Sequence, residues 1–355
     1  MRLRPGLSAL TVVVFGIALA TPVPYVVVTP GPTFNTIGQM DGKDLVHIDG
    51  APTYPTRGSL RMVTVREYGG PTDGVSLWQA IAAWFSQSEK VIPREAIFPE
   101  GVSREETSQM GAEQFSTSQS DAIAAALGYL ELPVIEKVVI SDIRGDAPAH
   151  DRLHAGDQVT SLDGVAMSTP EQVVAAVRKQ PVGTELSFTV IRDGKEITVS
   201  VTSAARTDDP DTELDETGLP YIGAGLDTLY EAPFDISFEV EGVGGPSAGT
   251  MFALAIVDKL TPDSLTQGKD IAGTGTISPD GQVGAIGGIA QKMAGARSAG
   301  ATLFLAPETN CDEVMGHIPA GLTVTPVSTL AQAISAITNY LAGKSLPECT
   351  ATQGE

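Results

Sequence analysis

The amino-acid sequence predicts an α+β fold, in which a small β-rich module interrupts a larger mixed domain and one apolar membrane-spanning segment precedes both. Three observations carry this expectation. Leu186, Phe188 and Val190 alternate up to Asp193-Gly194, and Ile197, Val199 and Val201 alternate after it, the pattern of a hairpin with a tight turn. Capped helical segments recur elsewhere: Leu77, Ile81, Trp84 and Phe85 form a helical apolar face, and Ser103-Arg104-Glu105-Glu106 and Thr169-Pro170-Glu171-Gln172 mark helix starts. Finally, Arg2 and Arg4 precede an apolar run from Leu7 to Val28.

Taken in order, residues 1–30 are expected to cross a bilayer, since about 20 apolar residues suffice. The arginines place the N-terminus inside and the bulk of the chain outside. A cleaved signal peptide is the alternative, because Ala18-Leu19-Ala20 fits the small-residue cleavage pattern. The apolar character resuming at Tyr25-Val26-Val27-Val28, and Pro22 just beyond that cut, favour an uncleaved anchor. Residues 31–120 form the first part of the larger domain, with a strand from Leu60 to Val65 ahead of two helical segments. The small module takes residues 121–205, opening on a helix begun near Asp121. An acidic linker around Thr207-Asp208-Asp209-Pro210-Asp211 takes 206–218, the larger domain resumes over 219–345, and 346–355 is a tail.

A formal charge of −21, from 43 acidic and 22 basic residues, argues against a nucleic-acid partner, because phosphate contacts need clustered Lys and Arg. The four histidines, His47, His150, His154 and His317, share no metal-ligand spacing with the cysteines, so no metal and no cofactor is expected. The two cysteines, Cys311 and Cys349, are a disulfide candidate in an oxidising compartment, with two free buried thiols as the alternative. A bridge closing a loop of this size contributes about 3 to 4 kcal/mol.

The chemistry-bearing stretch begins after residue 234. Asp235 to Val240 alternates as a strand, glycines follow, and Ser247 is expected to open a helix running through Ala253 and Leu254 toward Lys259. A hydroxyl at a helix N-terminus lies beside free N–H groups able to hold an oxyanion, a geometry suited to acyl transfer. Lys292 follows in Ile286-Gly287-Gly288-Ile289-Ala290-Gln291-Lys292. Taken singly, a serine here is an ordinary helix cap and a helical lysine an ordinary surface charge.

The order of motifs changes that reading. Gly245-Pro246-Ser247-Ala248-Gly249, Asp270-Ile271-Ala272-Gly273-Thr274-Gly275-Thr276-Ile277 and Gly284-Ala285-Ile286-Gly287-Gly288-Ile289-Ala290-Gln291-Lys292 resemble, in order and spacing, the motifs of the Lon proteolytic domain. The resemblance implies Ser247 as nucleophile, Lys292 as general base and Thr274 hydrogen-bonded to the lysine amine. It also implies that Gly245, Pro246, Ala248 and Gly249 form the nucleophile turn and oxyanion region. A lysine near its ordinary pKa of about 10.4 cannot accept a proton at neutral pH. Burial near Ile289, Ala290 and Met293 is therefore expected to lower it. One departure stands out: the family commonly carries Asp before Gly-Pro-Ser, and this chain has Gly244. No phosphate-binding loop occurs; Gln267-Gly268-Lys269-Asp270 lacks its first glycine and its hydroxyl residue, so ATP is not expected as a partner.

Ala147-Pro148-Ala149-His150, with the run from Leu153 through Gly156-Asp157 to Asp163-Gly164, resembles the bacterial PDZ domain. PDZ domains bind extended peptides by adding a strand to a sheet edge. The upstream Ala126-Leu127-Gly128-Tyr129 is a loose match to their carboxylate-binding loop; a PDZ fold that only gates or braces a protease is the alternative. Together the resemblances imply a split Lon-type proteolytic domain with an inserted PDZ domain and one N-terminal transmembrane helix through residues 7–28. The implied activity is that of an ATP-independent serine endopeptidase, single-pass in the cell membrane and facing outside, acting on exported or membrane-associated proteins. Its partners would be protein or peptide substrates, the membrane and further copies of itself. A catalytically silent PDZ-bearing membrane scaffold is the alternative, and retention of both Ser247 and Lys292 weighs against it.

Overall fold

Strands drawn from both ends of the chain share one sheet. The computed structural model describes residues 14–70, 74–86, 88–98, 103–207, 216–240 and 242–350, and the chain divides into two compact units, residues 1–132 with 234–355 and residues 133–233. The larger unit begins with α1 (residues 14–20), β1 (Pro22–Val23), β2 (Tyr25–Asn35), β3 (Val46–Asp49), β4 (Ser59–Tyr68), β5 (Val75–Ser76), α2 (Leu77–Trp84), β6 (Lys90–Pro93) and α3 (Arg104–Tyr129). The smaller unit holds β7 (Ile135–Ile143), β8 (Gln158–Leu162), β9 (Val165–Ala166), α4 (Pro170–Arg178), β10 (Glu185–Arg192), β11 (Lys195–Thr202) and β12 (Ala224–Glu231). The larger unit then resumes with β13 (Asp235–Phe238), α5 (Gly249–Leu260), β14 (Asp270–Gly273), β15 (Thr276–Ile277), β16 (Val283–Gly284), α6 (Ile289–Ser298), β17 (Leu303–Pro307), α7 (Cys311–Val314), β18 (Thr323–Val327) and α8 (Leu330–Leu341).

The main sheet of the larger unit runs β18-β17-β14-β4-β2-β6. β14 lies parallel to both β4 and β17, with Ile271 opposite Leu60 and Leu303, while β2 and β6 are antiparallel additions. Leu303 to Ala306 is apolar without alternation and wholly buried, as expected of a parallel strand covered on both faces. α5 is apolar all round, and Met251 to Ile256 are inaccessible, so this helix is enclosed rather than amphipathic. Phe252 packs edge-on against Phe115 of α3 and Phe238 of β13, with ring centroids 5.6 and 4.8 Å apart.

Several expectations are corrected. The apolar run does not continue as one span to Val28: Pro22–Val23 pairs with β5, and Tyr25 to Val28 opens β2, where Val26, Val27 and Val28 are core residues. Pro22 and Pro24 cannot donate helical hydrogen bonds, and the β-branched valines suit a covered strand. Residues 1–13 of the expected anchor lie outside the described residues. Among the described residues no helix is long and apolar enough to cross a membrane. α2 buries Ala80 and Ala83 against Val27 and Val75, whereas Trp84 and Phe85 of the expected core face are exposed. Small side chains let this helix lie close on the strands beneath it.

The capping box at Ser103 and Glu106 starts a single 26-residue helix that runs through Asp121 to Tyr129. Nothing breaks it at 121, because Ala122 to Leu127 is a buried run of good helix formers. α3 therefore falls in the larger unit, and the smaller unit starts at Pro133 rather than 121. It ends at Pro233 rather than 205, because β12 pairs antiparallel with β7, Asp227 opposite Val139. Of the expected acidic linker, residues 208–215 lie outside the described residues. The smaller unit's sheet runs β11-β10-β8-β7-β12, with β9 on β8, around a core of Leu186, Phe188 and Val190. Asp157 of the quoted glycine-aspartate motif is buried in a two-point ion pair with Arg192, at 2.6 and 2.7 Å. Cys311 and Cys349 form a disulfide with Cα atoms 5.0 Å apart, tying the tail to the start of α7.

Candidate active site

The serine hydroxyl is not used as a helix cap. α5 starts at Gly249 with Ala248 as its N-cap and no side-chain cap bond, so Ser247 sits just before the helix rather than opening it. The N–H groups of Ser247 and Ala248 have no acceptor among the described residues, whereas that of Gly245 is committed to the Gly111 carbonyl at 2.8 Å. Gly245 is thus part of the turn, at φ 84°, and the open donors are one step further on.

Sequence reasoning missed the support behind this turn, which comes from α3. Gly111 accepts from Gly245, and the Ser118 hydroxyl donates to the Pro246 carbonyl at 2.9 Å. The departure at Gly244 now has a physical reason. A Cβ there would lie 3.3 to 3.4 Å from the backbone of Gly111, so the missing side chain lets the helix approach the nucleophile turn. The signal was a glycine inside a long helical pattern, legible only with its partner known.

Lys292 lies one turn into α6, its side chain buried at 3% exposure. Its Nζ donates to Thr274 Oγ1 at 3.3 Å, and that hydroxyl donates onward to the Ser247 carbonyl at 3.0 Å. The Gly275 N–H reaches the same carbonyl at 3.0 Å. Thr274 therefore links the Lys292 amine to the backbone carbonyl of Ser247 through one oxygen. Burial pushes the Lys292 ammonium down to about 8, opposed in part by attraction to the Glu313 carboxylate. Roughly one molecule in ten then carries a neutral amine at pH 7, against fewer than about one in a thousand for an ordinary lysine.

Ser247 and Lys292 line one cleft of about 970 Å³, walled by Val63 to Glu67 of β4 and by Met110 and Gly111 of α3. β14 pairs with β4 only as far as Met62, so the same edge of β4 has no strand partner beyond that point among the described residues. No group of acidic, histidine or cysteine side chains able to hold a metal occurs among the described residues.

The smaller unit has its own groove, of about 310 Å³, between Val173 and Val177 of α4 and the stretch from Tyr221 into β12. Ala126-Leu127-Gly128-Tyr129 is not its loop, since those residues are helical in α3. Tyr221-Ile222-Gly223 lines the groove instead. Gly223 has φ 72°, and a Cβ on it would collide with Ala147 at 2.1 Å, so only glycine fits.

Residues 102–202 match the PDZ domain family, and residues 241–339 match the Lon protease (S16) C-terminal proteolytic domain. The PDZ match takes in α3 and stops short of β12, so it is offset from the compact unit 133–233. The chain is 30% identical over 206 residues to Lon protease 2 of Herpetosiphon aurantiacus, covering 54% of this chain and 23% of that protein. It is 29% identical over 206 residues to a Lon protease of Clostridioides difficile, covering 54% and 24%. It thus spans about a quarter of the length of these relatives. A crystallised PDZ domain of an SdrC-like protein from Listeria monocytogenes is 27% identical, over 25% of this chain and 85% of that one, with a TM-score of 0.22. On the family matches, this chain carries a Lon protease C-terminal proteolytic domain of the serine-peptidase type together with a PDZ domain.

Proposed function

We propose that this protein is a membrane-anchored, ATP-independent serine endopeptidase whose catalytic pair is Ser247 and Lys292. The observation that carries the reading is the buried Lys292 amine, hydrogen-bonded to the hydroxyl that also holds the Ser247 carbonyl. Ser247 Oγ attacks the scissile carbonyl carbon while its proton passes to neutral Lys292. The resulting oxyanion is held by the N–H groups of Ser247 and Ala248. Collapse breaks the C–N bond, and the proton on Lys292 goes to the leaving amine. Water then attacks the acyl ester, giving one proton to Lys292, which returns it to the Ser247 oxygen as the acid leaves.

The unpaired edge of β4 over Val63 to Glu67 supports an extended substrate, added as a strand along the cleft with its carbonyl facing Ser247. Likewise β12 ends the sheet of the smaller unit beside the groove on α4, an edge suited to a second extended segment of the substrate. The Cys311–Cys349 bridge supports an oxidising, extracytoplasmic location, and Arg2 and Arg4 ahead of the apolar stretch from Leu7 to Ala20 give the charged and apolar regions of a signal-type anchor. Its substrates are then exported or membrane-associated proteins.

The test is cleavage of casein by the full chain in mild detergent without nucleotide, comparing it with Ser247→Ala and Lys292→Ala. Loss of cleavage in both folded variants is expected. Equal activity in all three would assign the cleavage to a contaminant, and an inactive parent protein that also fails to react with a peptidyl boronate would leave a peptide-binding scaffold instead.

A further inference from the structure

α2 has an apolar surface that no part of the described chain covers. Trp78, Ile81, Trp84 and Phe85 are 59%, 37%, 73% and 84% exposed. At about 100° per residue they span an arc of roughly 120° on the side away from the buried Ala80 and Ala83. Four large apolar side chains on one short helix and its C-cap, Phe85, form the kind of patch that marks a binding surface. Both tryptophans of the chain lie on it.

The chain itself indicates what meets this surface. The apolar N-terminal segment ends beside the first turn of α2: the Leu77 N–H donates to the Thr21 carbonyl at 3.0 Å, and Pro22 and Val23 pair with Ser76 and Val75. Val14, Phe15 and Ile17 of α1, just before that junction, are themselves 57 to 65% exposed. Resting on the anchor reading above, we infer that α2 is a membrane-docking helix, seating Trp78, Ile81, Trp84 and Phe85 in the headgroup region of the bilayer from which the anchor emerges. Tryptophan is the side chain best suited to that boundary, apolar in body with one N–H for water or headgroup. The charge of −21 opposes attraction to anionic lipid, so the contact is apolar rather than electrostatic. α2 lies over β2 in the same unit as the Ser247 cleft. Docking therefore holds the cleft at one height above the bilayer and restricts substrates to segments near the membrane.

Because Trp78 and Trp84 are the only tryptophans, tryptophan emission, excited at wavelengths the seven tyrosines do not absorb, reports on this helix alone. The full chain is reconstituted in phosphatidylcholine vesicles with or without bromine on the acyl chains, and flotation after alkaline wash reads the anchor separately. Floating protein should show blue-shifted emission quenched about twofold or more by the brominated lipid, with Trp78→Phe and Trp84→Phe each retaining quenching of the remaining ring. Floating protein with water-exposed, unquenched tryptophans would overturn the docking and leave the anchor standing. Emission shielded from aqueous acrylamide but unquenched by brominated lipid would assign the face to a second copy instead. Protein that does not float would remove the anchor and the docking with it.

Discussion

Lys259, near the C-terminal end of α5, and Lys292 on α6 are 7% and 3% exposed, in the same unit. Lys259 meets Asp44 at 2.8 Å, whereas the hydrogen-bond partner of Lys292 is the neutral hydroxyl of Thr274. The hydrogen bond from Lys259 holds the Asp44 carboxyl below its usual range, so the pair serves to fix the segment of Asp44 onto α5. The Lys292 ammonium hydrogen-bonds a hydroxyl and feels the Glu313 carboxylate only by weaker attraction, so burial prevails and it gives up its proton within reach of neutral pH. The difference between scaffold and chemistry here is one partner atom, and burial is common to both.

Replacing Lys292 by Met breaks this comparison most severely. Cleavage should fall by at least about a thousandfold. Stability should move the other way: lowering the pKa from 10.5 to about 8 on folding costs about 3 kcal/mol. The sign follows from proton counts. Between pH 8 and 10.5 the unfolded state binds more protons, so the cost is full below the folded pKa and fades as pH approaches the unfolded value. Urea denaturation at pH 7 should therefore find Lys292→Met more stable, with the gain shrinking toward pH 10; an equal or lower stability at pH 7 would contradict a desolvated lysine.

The pH profile sharpens the same point without mutation. As the base must be neutral, kcat/KM should rise about tenfold per pH unit below the inflection and level off above about 8. A profile flat from pH 6 to 9 would remove Lys292 from the role. Thr274→Val comes next. It deletes the acceptor that favours the charged amine, and leaves the Ser247 carbonyl with Gly275 alone. The plateau should drop about tenfold while the inflection moves below 8. A lowered plateau with an unmoved inflection would make Thr274 a support for the serine turn only.

The smallest effect should come from Lys259→Met. The Asp44 carboxylate is partly exposed, so losing its partner costs only about 1 kcal/mol. Activity per folded molecule should not change, and the Lys292 inflection should stay in place. A shift in that inflection would show that the two lysines are coupled after all.

How much of this was legible beforehand varied with how local the cause was. The caps at Ser103 and Thr169, the Asp193-Gly194 hairpin and the strand at Leu60 to Val65 are encoded within a few residues, and they stand where the pattern put them. Thr274 and Lys292 were singled out by motif order, and their hydrogen bond is in place. The run from Tyr25 to Val28 was misread because apolar composition is the same for a bilayer segment and a buried strand. α2 was misread because its helical period does not say which stripe faces the sheet. The groove loop at Tyr221 to Gly223 was sought upstream, since nothing local reveals that β12 returns to pair with β7.

By itself the sequence determined the helix caps, the turn glycines, the alternation of the strands and the order of the three motifs, all consequences of backbone sterics and neighbouring side chains. Only the tertiary structure decided that Lys292 loses its water, that α3 braces the serine turn through Gly111 and Ser118, that Cys311 reaches Cys349, and that Trp78 and Trp84 face outward. Those depend on which distant segments exclude solvent around a group, and desolvation is a property of the assembled surroundings rather than of any residue in the chain.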